Sequence, residues 1–153
     1  MCVRDEVMNA DRLYPTRPIL AASVAVFRTG RVLLAARGHS PMRALYTLPG
    51  GLVEPGETLV ETALRELREE VGVEAEILGF VAPVEIIERD DGGVRRHFVV
   101  CAHAARWLSG EPRTGPEAID VRWVRENEIA GLPTTPGLAE ILGRAFALDR
   151  VLG

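Results

Sequence analysis

The chain has 153 residues, 47% of them hydrophobic and 26% charged, with a formal net charge of −4. That length suits one domain with a real core and is too short for two. The acidic balance argues against general affinity for nucleic acid or an anionic membrane surface. No apolar run approaches the roughly 18–20 residues that a membrane span needs.

Residues 1–18 have no hydrophobic period and contain Pro15 and Pro18, so an N-terminal arm or a disordered lead-in is expected there. Their mixed, polar character is unlike a secretory leader. The two cysteines, Cys2 and Cys101, belong to no metal or redox spacing and read as free thiols of a reducing compartment. A cytoplasmic location follows as the expectation. The arm could add a strand to a second copy, which leaves a homodimer open.

Residues 19–153 are expected to form a single domain. "ILAASVAVF" (19–27) is a continuous apolar run and predicts a buried strand, with "RVLLAAR" (31–37) returning as its hairpin partner. Residues 38–50 predict a loop with a short extended piece ending at Pro49. "GLVEPGE" predicts a turn-rich loop. A helix follows with clear punctuation. Thr58 and Glu61 make a capping box, Val60, Ala63, Leu64, Leu67 and Val71 make an apolar stripe, and Gly72 ends the helix. Residues 73–90 and 94–107 predict strands around a "DDGG" hairpin turn. A strand at 119–124, a short helix at "ENEIAGL" and a helix over 136–152 complete the chain. This order predicts an α+β fold, a mixed β-sheet with helices on its faces.

The first helix raises a problem of charge. "ETALRELREEVGVE" (61–74) carries Glu66 and Glu70 four residues apart, and like charges at that spacing weaken a helix. With Val60 at zero on a wheel of 100° per residue, the apolar stripe lies within about 60°. Glu69, Glu66 and Glu70 then cluster at about 180°, 240° and 280°, away from Arg65 and Arg68. A solvated charged face is one reading of this edge. The other is a set of carboxylates that share a hard divalent cation.

The flanking residues decide between these readings. Gly51, Glu57, Arg65, Glu66, Leu67, Glu69, Glu70, Gly72 and Val73 form one spaced set. Five residues separate Gly51 from Glu57, and seven separate Glu57 from Arg65. At every fixed position this set resembles the signature of the Nudix hydrolases. The box covers residues 51–73, and the looser context resembles the family from about 19 to 148.

The resemblance implies a Nudix fold, with a mixed sheet sandwiched between helices (α/β/α), and hydrolysis of a phosphoanhydride with Mg²⁺ or Mn²⁺. It makes Glu66, Glu69 and Glu70 the metal ligands, with a carbonyl of Gly50 or Gly51 beside them. Glu57 is implied as a supporting ligand or as the residue that holds the loop. Arg65 is implied to orient a box carboxylate, although a plain surface salt bridge also suits it. Outside the box, Glu117 stands as a general base or as a simple loop carboxylate. Arg37 is a candidate phosphate contact, with a surface salt bridge as the alternative. Tyr46 is a candidate for base stacking or for core packing. Glu85 and His97, beside the hairpin turn, could line the substrate mouth or merely carry surface charge. His39 and His103 have no partner at ligand spacing.

The expected partner is a small nucleotide. A nucleoside diphosphate linked to another moiety comes first, with ADP-ribose or a nucleotide sugar in front. A (deoxy)nucleoside triphosphate, as for MutT-like members, is the alternative. A non-catalytic nucleotide sensor is the alternative of another class. Such domains often lose box glutamates, and all of them are present here.

Overall fold

The computed structural model describes residues 12–40 and 42–153. Residues 1–11, with most of the expected arm and Cys2, lie outside the described residues. Among the described residues, seven strands and two helices follow in chain order: β1 (Ile19–Arg28), β2 (Arg31–Arg37), β3 (Tyr46–Thr47), β4 (Gly50–Leu52), α1 (Leu59–Val71), β5 (Glu74–Asp90), β6 (Gly93–Ser109), β7 (Ala118–Val124) and α2 (Leu138–Leu152). A 3₁₀ segment, Glu126–Gly131, precedes α2.

All seven strands join one sheet in the order β3-β2-β1-β6-β5, with β4 on β1 and β7 on β2. The β1–β6 pair is parallel and the others are antiparallel. This is the mixed α+β sheet that the element order predicts.

β1 lies in the middle of the sheet, and its continuous apolar run follows from burial on both faces. Ala22, Val24 and Val26 pack with Leu33, Ala63, Leu67 and Val71 on the α1 side. Ala25 and Phe27 pack with Leu34, Leu142, Ala145 and Phe146 on the α2 side. Phe27 meets Phe146 edge to face at 4.9 Å. The result is helix, sheet, helix. Among the described residues no helix is long and apolar enough to cross a membrane.

Two local expectations change. The Gly50–Gly51 stretch reads as a turn in the sequence but forms strand β4, with Gly50 opposite Ser23 and Gly51 opposite Ala22. Glycine is weak in strands in general, yet it allows another chain to approach closely. A Cβ on Gly50 would lie 2.5 Å from the Ala22 carbonyl oxygen. The buried arc of α1 is also rotated. Val60 is 38% exposed while Thr62 is buried, because the loop before the helix folds over its acidic flank. Thr62 Oγ1 donates to Glu57 Oε1 at 3.1 Å.

The two ends of the sheet differ in character. At one end lie the start of β1, strand β4 and the end of β2. At the other, the Arg28 guanidinium sits 3.8 Å from the Trp107 ring centre and 5.9 Å from that of Trp123, and pairs with Glu111 at 2.9 Å. Residues 12–18 reach the tip of the β5–β6 hairpin. The Tyr14 backbone N–H donates to the Arg95 carbonyl at 2.8 Å, and its hydroxyl donates to Asp90.

Candidate active site

α1 begins where the sequence predicts. Thr58 accepts from the Glu61 backbone N–H at 3.1 Å and its hydroxyl donates to the Glu61 carboxylate at 3.0 Å. Gly72 closes the helix with φ 73°. These two stops fix the phase of the helix, and that phase aims Glu66 and Glu70 at β4.

Gly51 makes room for them. A Cβ there would lie 2.4 Å from Glu66 Cδ, so any other residue would displace the carboxylate. The Gly50 N–H points at Glu70 Oε1 across 3.4 Å. The like-charged pair is thus folded inward against the sheet rather than spread on solvent.

Burial acts first on both groups. It raises Glu70 to about 9, with the neighbouring Glu66 charge as the second cause and Glu117 adding to it, against the Gly50 N–H. It also raises Glu66, against the opposing pull of Arg65. A carboxylic acid held protonated by its surroundings at neutral pH is characteristic of functional sites.

Arg65 organises the rest. Its Nε and Nη2 grip Glu57 at 2.7 and 2.8 Å, a two-point fork. Nη1 reaches Glu66 at 2.9 Å and Glu69 at 3.2 Å, and Nη2 also donates to the Leu52 carbonyl at 3.2 Å. Arg65 holds the Glu57 carboxyl down at about 2, helped by the Glu54 N–H. One guanidinium thus ties three box carboxylates to the loop backbone.

The second bank of the site comes from β2 and β7. Arg37 ends β2 opposite Ala118, the residue after Glu117. Burial lowers the Arg37 guanidinium, while Glu70 and Glu117 draw it back up and Arg96 and Arg12 oppose them. Arg37 therefore sits in the field of both carboxylates. Glu117 is 3.3 Å from His39 Nε2. In the sequence His39 has no partner; only the β2–β7 pairing, which no local pattern announces, brings it to Glu117. Thr62, the other residue that local patterning misses, sits five positions after Glu57.

Three candidates do not join this cluster. Tyr46 is buried on the α2 side, with its hydroxyl on Asp120, so core packing is its role here. Glu85 is exposed on β5 opposite Val99, and His97 stands on β6 opposite Ile87. Neither hydrogen bonds to a box residue; both lie on the long hairpin.

The donor chemistry fits a hard divalent cation. Glu66 and Glu70 offer convergent carboxyl oxygens beside a glycine backbone, and hard cations favour oxygen ligands. Glu69 is turned to the exposed side toward Arg65. Among the described residues, no three His, Cys, Asp or Glu side chains are already drawn together as a ready cage. Glu66, Glu69 and Glu70 are the side chains that could hold such an ion, each as a carboxylate.

A sheet between two helices, with this loop and helix against its central strand, defines a class of protein. The family model for the NUDIX domain matches residues 17–144, and the chain belongs to the Nudix hydrolase family. An ADP-ribose pyrophosphatase of Methanocaldococcus jannaschii is 30% identical over 128 residues, 84% of this chain and 70% of that protein. A Mycobacterium tuberculosis protein named "Putative 8-oxo-dGTP diphosphatase 3" is 39% identical over 115 residues, 72% of this chain and 52% of that protein. An NAD-capped RNA hydrolase of Stutzerimonas stutzeri is 32% identical over 136 residues, 88% of this chain and 47% of that protein. The chain spans about half the length of these last two. A MutT Nudix hydrolase from Burkholderia pseudomallei superposes with a TM-score of 0.74 at 28% identity, over 84% of this chain and 98% of that one.

Proposed function

We propose that the protein hydrolyses a phosphoanhydride bond in a nucleoside diphosphate linked to another group, with ADP-ribose or a nucleotide sugar as the first candidate. The observation that carries this reading is the inward convergence of Glu66 and Glu70 on the Gly50–Gly51 strand, with Arg65 holding Glu66. Two carboxyl groups in such a place cost the fold stability unless positive charge joins them.

Glu66, Glu69 and Glu70, with a carbonyl of Gly50 or Gly51, would hold Mg²⁺ or Mn²⁺. Bound there, such an ion neutralises phosphate oxygens and makes water a stronger acid. The chain's own residues supply position. Arg65 fixes Glu66, and Glu57 fixes Arg65 and the loop. Arg37, in the field of Glu70 and Glu117, would pair with a phosphate oxygen. Glu117 takes the proton of the attacking water. The water oxygen forms a bond to one phosphorus, the bridging P–O bond breaks, and two phosphate products leave. Catalysis of this kind is mainly orientation and electrostatics.

Similarity to the ADP-ribose pyrophosphatase over most of both chains supports the first candidate. A nucleoside triphosphate is the second reading, and the 39% identity to the mycobacterial protein favours it. A panel of ADP-ribose, NADH, sugar nucleotides, diadenosine polyphosphates and normal and oxidised triphosphates separates them. Phosphate release is followed with a phosphatase or inorganic pyrophosphatase coupled as each substrate requires, with Mg²⁺ and with Mn²⁺. One substrate should exceed the rest, and Glu70→Gln should lower its turnover by orders of magnitude. Equal turnover in that variant would overturn the assignment of the site.

A further inference from the structure

β2 leaves the sheet through Arg37, Gly38 and His39, and meets the loop that leads into β7. The Gly38 N–H donates to the Glu117 carbonyl at 3.1 Å. A Cβ on Gly38 would lie 1.8 Å from the Pro116 carbonyl oxygen, so only glycine lets the two loops press this closely. Their backbones are thereby locked in register. From this base the His39 imidazole reaches the Glu117 carboxylate, Nε2 to Oε1, at 3.3 Å.

Stability gives a poor reason for this contact. The His39 side chain is 27% exposed and that of Glu117 is 56% exposed. Exposed pairs of this kind contribute little to stability. Orientation gives a better one. A glutamate on an exposed loop samples many rotamers, and holding one of them carries an entropic cost. A proton acceptor must stand within hydrogen-bond reach of the water it serves, and small misplacements lower the rate strongly. His39 restricts Glu117 from one side, and Arg37 and Glu70 face it electrostatically from β2 and α1.

We infer that His39 is a positioning residue that holds the Glu117 carboxylate in the orientation needed to accept the proton of the attacking water. This rests on Glu117 being the base of the proposed hydrolysis. In this role His39 acts through Glu117, and no proton leaves it in the step. The water proton goes to Glu117 as the new P–O bond forms and the bridging one breaks.

The test is a set of variants: His39→Ala, His39→Gln, Glu117→Gln and the double variant His39→Ala with Glu117→Gln. Turnover is measured with ADP-ribose, or with 8-oxo-dGTP if only that is cleaved, at saturating Mg²⁺. Glutamine keeps an N–H donor near the place of Nε2. Removing the base itself should cost on the order of 10²–10⁴ in kcat. His39→Ala should lower kcat by roughly 10-fold to 10²-fold with KM unchanged. His39→Gln should restore most of the rate, and His39→Ala should cost nothing more once Glu117 is Gln. A readout free of turnover comes from the ¹⁵N shifts of the His39 ring, which should move in Glu117→Gln.

If Glu117→Gln is impaired while His39→Ala matches the wild type, the base stands and the positioning role falls. The positioning role falls equally if the two losses simply add, or if the ring shifts stay fixed. If Glu117→Gln keeps the full wild-type rate, the base assignment falls and this inference with it.

Discussion

At the scale of single residues, Glu70 carries the conflict on which the site depends. In an unfolded chain its carboxyl ionises near 4.5, and in the fold near 9. Below pH 4.5 both states hold the proton and Glu70 adds no penalty. Between those values the fold must keep a proton that the unfolded chain has released, so stability falls as pH rises through this window. Glu70→Gln keeps the shape and removes the charge. In metal-free protein it should raise the melting temperature at pH 8 and change little at pH 4. For a chain of this size about 1 kcal/mol moves Tm by roughly 2–4 °C, so a rise of several degrees is expected by calorimetry. No rise at pH 8 would remove the basis for regarding Glu70 as strained. The same substitution that stabilises the metal-free protein is expected to abolish turnover. Glu57 has the opposite sign. Arg65 holds it down at about 2, so its contribution is complete above pH 4.5 and is lost as acid approaches pH 2.

At the scale of elements, α1 is held in phase by its two ends. Thr58→Ala removes the side-chain acceptor of the Glu61 N–H and should cost about 1 kcal/mol, read from urea unfolding. A loss in turnover beyond that destabilisation is expected too, because a frayed first turn frees Thr62 from Glu57. Both stops of this helix are legible in the sequence, since Thr58, Glu61 and Gly72 act on neighbours within a turn. The long hairpin is legible for the same reason: "DDGG" sets its turn locally. The rest depends on partners far away in the chain. β4 reads as a turn because two glycines have no strand propensity; they form a strand only because Ala22 and Ser23 come up against them. The apolar stripe places the buried side of α1, and Thr62 overturns its edge because the loop before the helix covers it. Tyr46 has two roles open to it in the sequence, and its position opposite Ala36 on the α2-facing side decides for packing. The meeting of His39 with Glu117 needs the β2–β7 pairing, which joins segments some eighty residues apart.

At the scale of the whole molecule, the acidic box sits in an acidic chain, so the site has to gather cation and anionic substrate locally. Millimolar Mg²⁺ or Mn²⁺ should raise the melting temperature, because under the proposed function the folded box alone would bind the ion. The shift should be larger at pH 8 than at pH 6, as the ion competes with the proton on Glu70. It should be much reduced in Glu70→Gln. A shift of equal size in that variant would place the ion elsewhere. The sheet that supports this box is continuous from end to end, with hydrophobic packing on both faces, and its two ends carry different loads.

The chain has two tryptophans, and both gather around Arg28 at the end of β1 remote from β4. Ser23, opposite Gly50, lies five residues back along the strand, about 17 Å away at the rise of an extended chain. The intrinsic fluorescence of this protein therefore reports on the far rim of the sheet. Filling the box should leave the emission maximum in place, whereas loss of the fold should shift it to the red. The two tryptophans should therefore serve as a built-in gauge of unfolding, and titrations of cation or nucleotide call for a probe placed nearer to β4.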